Sequence, residues 1–225
     1  MKKYSLIVAG GSGTRMNHSL PKQFIKIGNY PILMHTIFQF TRLNEPLEII
    51  LVLPENEIGT WNELVAAYNF KIQVQIVYGG NTRVESVKNG LAQIKEENSL
   101  VAIHDGVRPF IRPEIIQKSF DIAQEKGNAI VAVNPKDSIR EIKGDRNVSR
   151  NRADYRLIQT PQTFKTPLIQ EAYQQKNIEL FTDDAGVAEN NGLHIHLIEG
   201  DYRNIKITTP EDLLIAKAFL LQENM

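Results

Sequence analysis

The chain has 225 residues, of which 42% are hydrophobic and 23% charged, and this length and composition predict a single α/β domain over residues 1–225. Its 26 basic residues balance its 26 acidic ones, so it lacks the excess of positive charge that attracts a nucleic acid backbone. The absence of cysteine excludes disulfides, thiolate metal sites and cysteine nucleophiles.

The first apolar run, YSLIV, is far shorter than the core of a signal peptide, and no later run approaches the length of a membrane span. We therefore expect a cytoplasmic protein. Further apolar runs, mostly rich in Val and Ile, predict strands at Ser5–Ala9, Glu48–Leu53, Val74–Tyr78, Leu100–His104, Ala129–Val133 and His194–Ile198. Segments of helical periodicity separate them, for example between Thr82 and Glu97. This alternation predicts a mostly parallel sheet with helices on both faces.

A glycine-rich turn, AGGSGTRM, follows the first predicted strand. Its glycines and the cations that follow are Gly10, Gly11, Gly13, Arg15 and Lys22. Glycines let the backbone approach a phosphate, and two cations would balance part of a triphosphate's charge. A dinucleotide fingerprint fails because Met16 replaces its third glycine, and no Gly-Lys-Ser/Thr of a P-loop occurs. The alternative is a plain turn with both cations on the surface.

A second glycine pair follows the third predicted strand, in YGGNTRVESVKNGL. Asn81 or Thr82 is placed to cap the next helix, and Ser86 lies one turn inside it. The exposed N–H groups of such a helix start could read the edge of a base. A well-capped helix with no ligand explains the same residues.

The sequence VAIHDGVRPF ends the fourth predicted strand in a carboxylate. Asp105 would lie at the carboxyl end of a central parallel strand, where such sheets bind ligands, and it is the best candidate ligand for Mg²⁺. Alternatively, Asp105 caps a turn and pairs with Arg108.

Two later segments contain further candidates. In ELFTDDAGVAEN, Thr182 is predicted to cap a helix. In RNIKITTPEDL, Lys206 lies between two isoleucines of a predicted strand, so it either faces solvent or reaches a phosphate.

Residues 134–163 interrupt the alternation of strands and helices. The region is poor in apolar residues and contains KGDRN, which is typical of a hairpin turn. It is either a solvated excursion or an arm that packs against another subunit, since long non-core loops in compact domains are usually functional or disordered.

Seven segments in order resemble the 2-C-methyl-D-erythritol 4-phosphate cytidylyltransferase family: AGGSGTRM, PKQF, GGNTRVESVKNGL, HDGVRPF, QTPQTF, TDDAGVAE and EGDYRNIKITTPEDL. The resemblance covers essentially the whole chain. It implies a Rossmann-like α/β fold and a homodimer joined by an extended β-arm, here residues 134–163. It also implies transfer of a cytidylyl group from CTP to methylerythritol phosphate, with release of pyrophosphate and with Mg²⁺ or another divalent cation as cofactor.

The resemblance further implies a role for each matching residue. The catalytic residues would be Arg15, Lys22 and Lys206. The nucleotide would be bound by Ala9, Gly10, Gly11, Gly13, Gly80, Asn81, Arg83, Ser86, Asp105 and Gly106, with Mg²⁺ on Asp105. The methylerythritol phosphate would be bound by Arg108, Thr182 and Lys206, and across the dimer by Arg152 and Thr160.

The chain departs from the family pattern at two positions. Arg203 stands where many relatives have an acidic residue before Asn-Ile-Lys, which removes a second carboxylate for Mg²⁺, and Asn151 replaces an acidic residue before Arg152. The closest alternative function is a ribitol (pentitol) phosphate cytidylyltransferase, although GGNTRVESVKNGL and TDDAGVAE favour the methylerythritol enzyme. A non-catalytic nucleotide-binding module is a further alternative, against which the retained cations argue.

Overall fold

The computed structural model describes residues 1–10 and 20–223, so that Gly11, Gly13 and Arg15 lie outside the described residues. The strands are β1 (Lys2–Val8), β2 (Lys26–Ile27), β3 (Tyr30–Pro31), β4 (Glu48–Leu53), β5 (Gln75–Tyr78), β6 (Ser99–Asp105), β7 (Asn128–Val133), β8 (Ile139–Lys143), β9 (Arg146–Arg150), β10 (Leu157–Lys165) and β11 (Leu197–Glu199). The helices are α1 (Ile32–Thr41), α2 (Ile58–Ala67), α3 (Arg83–Leu91), α4 (Pro113–Lys126), α5 (Thr166–Ala172), α6 (Asp184–Asn190) and α7 (Pro210–Glu223).

A seven-stranded sheet organises the chain in the order β11-β7-β10-β6-β1-β4-β5. Only β10 runs antiparallel to its described neighbours, whereas the pairs among the other strands are parallel. The predicted mostly parallel α/β fold is therefore confirmed. Val8 pairs with both Val52 and Asp105, so the carboxyl ends of β1, β4 and β6 meet at one edge of the sheet.

Apolar side chains alternate between the two faces of this sheet, as the strand period of two requires. Ile7 packs into a cluster with residues of α1, α2 and α4, whereas its neighbour Leu6 packs with residues of α3, α5 and α6. The central strands are buried on both faces, which explains why their sequences are continuous apolar runs. A third cluster joins the α7 residue Ala216 to Ile207 and Val107.

Strand β10 is the strand of the seven-stranded sheet that the sequence pattern missed. It lies between β6 and β7 in the sheet, and its register shifts between Ile158 and Gln162. Its sequence LIQTPQTFK is largely polar although most of it is buried. The predicted arm, residues 134–163, consequently ends too late, because the chain belongs to the main sheet from Leu157 onward.

Within residues 134–163, the hairpin of β8 and β9 is separate from the main sheet, because these two strands form their own two-stranded sheet. Gly144, with φ of +62°, begins its two-residue turn, so the predicted turn at KGDRN is confirmed. The sixth predicted strand is shorter than expected and displaced to Leu197–Glu199.

Candidate active site

A cleft of about 220 Å³ opens at the carboxyl ends of β1 and β6. Its described lining residues are Val8, Ala9, Gly10, Lys22, Gln23, Arg83, Asp105, Val107 and Lys206. Six of these nine were predicted as site residues from the sequence, although they come from five separate segments of the chain. This edge of a parallel sheet is where ligands are expected to bind.

Three cations surround the carboxylate of Asp105 at the base of the cleft. Lys206 Nζ lies 3.2 Å and Arg108 Nε 3.1 Å from its Oδ2, while Arg83 Nε lies 3.8 Å from its Oδ1. Burial by itself raises the pKa of a carboxyl, but the charges of Lys206, Arg83 and Arg108 outweigh it and hold the pKa of Asp105 well below its usual range. Asp105 is therefore a permanent carboxylate inside a group with net positive charge, which suits an anionic ligand.

Arg83 is fixed from behind by the fully buried Asp184. Its two terminal nitrogens donate to the two carboxylate oxygens at 2.9 and 2.7 Å, a bidentate arrangement that sets the plane of the guanidinium. Tyr173 donates a further hydrogen bond of 2.5 Å to Asp184, and burial together with that carboxylate raises the pKa of Tyr173. A chain of Tyr173, Asp184 and Arg83 thus supports the wall of the cleft.

The backbone of Asp105 is held by Thr160 and His104. The Asp105 N–H donates to Thr160 Oγ1 at 3.1 Å, and Thr160 Oγ1 lies 3.0 Å from His104 Nδ1. Burial lowers the pKa of His104 to about 4, so the ring is neutral at pH 7. Its Nε2 lies 3.1 Å from the carbonyl of Arg108 and therefore carries the ring hydrogen, which leaves Nδ1 to accept from Thr160.

The second glycine loop forms a closed capping arrangement at the start of α3. Thr82 accepts from the Glu85 N–H at 3.1 Å, Glu85 accepts from the Asn81 N–H at 2.6 Å, and Ser86 Oγ accepts from the Gly80 N–H at 3.1 Å. A Cβ on Gly80 would lie 2.3 Å from that of Glu85, so any other residue there would force the loop to shift. The predicted cap at Thr82 is confirmed, and three groups of this loop already have partners in this structure.

The model of the 2-C-methyl-D-erythritol 4-phosphate cytidylyltransferase family matches residues 4–222 of this chain. The chain belongs to this family. Proteins of that name from Bacteroides fragilis and Phocaeicola vulgatus are 46% and 44% identical to it, over 98% of this chain and 100% of each relative. The crystal structure of a 4-diphosphocytidyl-2C-methyl-D-erythritol synthase from Anaerococcus prevotii is 32% identical with a TM-score of 0.84, covering 98% of this chain and 96% of that one.

A bifunctional protein from Campylobacter jejuni is also similar in structure, with a TM-score of 0.80 and 26% identity. The likeness covers 95% of this chain but only 54% of that protein.

Within the part of this cytidylyltransferase that the structure describes, no helix is both long and apolar enough to span a membrane.

Residues 201–207 bring Lys206 into the cleft, but they do not form the predicted strand. The segment is anchored by the Ile207 N–H, which donates to the Val107 carbonyl at 3.0 Å, and by Arg108, which donates to the Asn204 carbonyl at 2.8 Å. The Lys206 side chain is 41% exposed. Lys206 therefore pairs with Asp105 and still reaches solvent, while its contact with a phosphate stays a prediction.

Three of the predicted substrate residues, Thr182, Thr160 and Arg152, lie outside the described lining of this cleft. Thr182 is exposed and does not cap α6, because Asp183 accepts the capping bond from the Gly186 N–H at 3.0 Å. Thr160 is only 4% exposed, and its hydroxyl is taken by Asp105 and His104, so it is better placed to hold the site than to contact a substrate. Arg152 lies exposed beyond the described lining of the cleft and donates to the carbonyl of Lys136.

The described residues contain no group of three or more His, Asp or Glu side chains that could hold a metal ion alone. Asp201, the nearest acid in the segment with Arg203, is paired with Arg112 at 2.8 Å, and the Arg203 guanidinium lies over the Phe219 ring. A single carboxylate fits a Mg²⁺ ion that is also bound by substrate phosphates, which is how this ion commonly binds.

Several supporting residues were not assigned a role from the sequence, namely Gln23, Glu57, His104, Tyr173 and Asp184. Asp184 lies in the segment whose Thr182 was predicted to cap a helix, but its partner Arg83 lies 101 positions away. No local pattern could have revealed this pair.

Proposed function

We propose that the cleft at the carboxyl ends of β1 and β6 is where this chain transfers the cytidylyl group from CTP to 2-C-methyl-D-erythritol 4-phosphate, the reaction of its family in isoprenoid biosynthesis. The observation that supports this location is the convergence of Lys22, Arg83 and Lys206 on one cleft, in which Arg83 and Lys206 also pair with Asp105. Cations from three distant segments meet where a parallel sheet binds its ligands.

The reaction needs charge neutralisation and alignment more than proton transfer. The substrate phosphate is an anionic nucleophile at neutral pH, so it can attack the α-phosphorus of CTP without a general base while pyrophosphate leaves in line. Lys22 and Arg15 would hold the triphosphate, together with the backbone of Ala9 and Gly10 and of Gly11 and Gly13. Lys206 would stabilise the charge that develops at the α-phosphate.

The remaining residues have proposed roles in binding. The loop of Gly80 and Asn81 with Ser86 would contact the cytosine, and its internal hydrogen bonds keep it in place for this. Asp105 and Gly106 would lie beside the ribose, and Asp105 would hold Mg²⁺ together with the triphosphate oxygens, adding positive charge there. Arg108 and Thr182 would approach the methylerythritol phosphate.

We also propose a homodimer in which the β8–β9 hairpin serves as the arm. Arg152 lies at the base of this arm and outside the described lining of its own cleft, which supports a contact with substrate in the partner's cleft. The cytoplasmic location stays a prediction from composition.

The substrate is tested with purified protein, CTP and Mg²⁺, offered methylerythritol phosphate and ribitol phosphate in parallel. We expect pyrophosphate release with methylerythritol phosphate alone. Release only with ribitol phosphate would assign the pentitol activity, and no release with either would favour a non-catalytic nucleotide-binding module.

A further inference from the structure

We infer that Gln23 is a positioning residue for this reaction, which fixes the turn that carries Lys22 and is itself anchored by Glu57. The inference rests on the proposed role of Lys22 at the triphosphate.

The side chain of Gln23 connects three segments that form the cleft. It is only 1% exposed, and its Nε2 donates to the carbonyl of Ala9 at 2.9 Å and to the carboxylate of Glu57. Ala9 directly follows β1, whereas Glu57 directly precedes α2. Both hydrogens of one amide nitrogen therefore hold the turn Lys22–Phe24 against the ends of two other elements.

The turn is fixed on its other side by Phe24, which is buried in the core cluster of α1 and α4. Within the turn, the Phe24 N–H donates to the Pro21 carbonyl at 2.9 Å and the Ile25 N–H to the Lys22 carbonyl at 3.2 Å. The Cα of Lys22 is thus held between a packed aromatic ring and a buried amide. A lysine side chain is long and flexible, so a fixed backbone position is what confines its ammonium group to the cleft.

The hydrogen bond to Ala9 extends the effect to the first glycine loop. The Ala9 N–H donates to the Val52 carbonyl at 3.0 Å, and the Ala9 carbonyl accepts from Gln23. Both backbone polar groups of Ala9 are therefore held, directly before Gly10. Gln23 therefore sets the distance between the start of that loop and Lys22, the two parts that would hold the same triphosphate.

Glu57 is an unusual anchor if stability alone is considered. It is only 8% exposed, and burial raises its pKa despite the hydrogen bond from Gln23. Burying a carboxylate costs free energy, and an apolar side chain in its place is often neutral or stabilising. The pair is thus better explained by the position it imposes on Gln23 than by a gain in stability.

The test compares Gln23→Met, which removes both hydrogen bonds at similar length, with a matched control, Gln170→Met. Gln170 Nε2 also donates to two acceptors, the carbonyls of Leu91 and Ile94 at 2.8 and 2.9 Å, but it does not line the described cleft. We expect Gln23→Met to raise the KM for CTP and lower kcat, each by about tenfold or more, because small misplacements of a binding group are costly. Gln170→Met also loses two hydrogen bonds and should lose stability, but it should keep wild-type kinetics.

Variants of Glu57 separate position from stability. Glu57→Gln keeps an acceptor for Gln23 and should retain the KM for CTP, whereas Glu57→Met should raise it. In the double variant Gln23→Met/Glu57→Met, no carboxylate is left buried without a donor, so the melting temperature should recover relative to Gln23→Met while the KM for CTP stays high. Calorimetric binding of CTP to each folded variant gives a readout besides turnover.

Wild-type KM and kcat in Gln23→Met would overturn the inference, as would equal kinetic losses in Gln170→Met. If Gln23→Met fails to fold, Glu57→Met replaces it in the test. Wild-type CTP binding by Glu57→Met would then overturn the inference. Lys22→Met, measured in parallel, tests the proposed function separately: we expect turnover to fall by orders of magnitude, and wild-type turnover would remove the role of Lys22 itself.

Discussion

The carboxylate of Asp105 illustrates how individual residues create this site. It is buried beside three cations, one from its own turn and two from segments far away in sequence. Since a buried charge is costly unless it is paired, the carboxylate holds Arg83, Arg108 and Lys206 near one another. In the proposed function, this cluster would supply positive charge to the triphosphate.

Asp184 pairs with both Arg83 and Tyr173, so its replacement should affect stability and binding. Asp184→Ala leaves a largely buried guanidinium without its bidentate partner, and we expect it to lower the free energy of unfolding by about 3 kcal/mol. Tyr173→Phe removes one hydrogen bond and should cost about 1 kcal/mol. Urea denaturation measures both, and the KM for CTP should rise in Asp184→Ala because Arg83 loses its orientation.

The control for these two variants is Asp121→Ala, on the exposed side of α4, where Asp121 accepts a hydrogen bond from Gln117 at 2.8 Å. It should stay within about 0.5 kcal/mol of the wild type. An Asp184→Ala protein as stable as this control would contradict the supporting role of the Tyr173–Asp184–Arg83 chain.

Glu57 provides a prediction about pH. Burial raises its pKa in the folded state, so the folded protein binds this proton more tightly than the unfolded chain does. The associated stability is present below the unfolded pKa and is lost as pH rises through the folded value. Glu57→Gln cannot ionise, and its stability relative to the wild type should therefore be greater at pH 7 than at pH 4. Thermal unfolding at both pH values measures this, and a constant difference would contradict it.

At the scale of elements, strands buried on both faces were the easiest to predict. The strand Glu48–Leu53 was predicted with its observed bounds, since a central parallel strand is a continuous apolar run. Strand β10 escaped the same reasoning because Gln159, Thr160, Gln162 and Thr163 are polar and yet buried. Their side chains are satisfied by hydrogen bonds to other elements, which no apolar pattern records.

The candidate site likewise contains residues that the sequence predicted and residues that it did not. Motif resemblance predicted Lys22, Arg83, Asp105 and Lys206, which the structure brings to one cleft. It gave no role to the buried groups behind them, since each of those acts through a partner distant in sequence. The cap of α6 was predicted one residue early, because both Thr182 and Asp183 are favourable capping residues and only the backbone decides between them.

The β8–β9 hairpin is an element with an exposed apolar surface. Ile142 is 71% and Val148 44% exposed, which is unusual for a hairpin that contacts only solvent. We predict that replacing residues 139–150 by a short glycine linker preserves the main sheet, since the hairpin pairs only with itself in the described structure. The far-ultraviolet circular dichroism of the sheet should persist while sedimentation changes from dimer to monomer. An unchanged dimer would show that another surface joins the subunits.

Across the described molecule, further apolar side chains are exposed outside the hairpin. They include Tyr155, Leu157, Ile158, Leu197 and Tyr202. The first three follow the hairpin in sequence, and the other two lie on β11 and just after it. Exposed apolar side chains on the hairpin and at the edge strand β11 are suited to a two-fold interface, in which the same residues of both subunits are buried.

A two-fold arrangement predicts that inactive variants complement each other. If each active site combines Lys206 of one subunit with Arg152 of the other, then a heterodimer of Arg152→Ala and Lys206→Met has one site with both residues intact and one with neither. Random exchange of subunits makes half of the dimers mixed, so an equimolar mixture should recover about one quarter of wild-type activity, although each variant alone is nearly inactive. Mixing without subunit exchange serves as the control. If Arg152 instead acted on the cleft of its own subunit, no mixed site would be intact and activity would not recover.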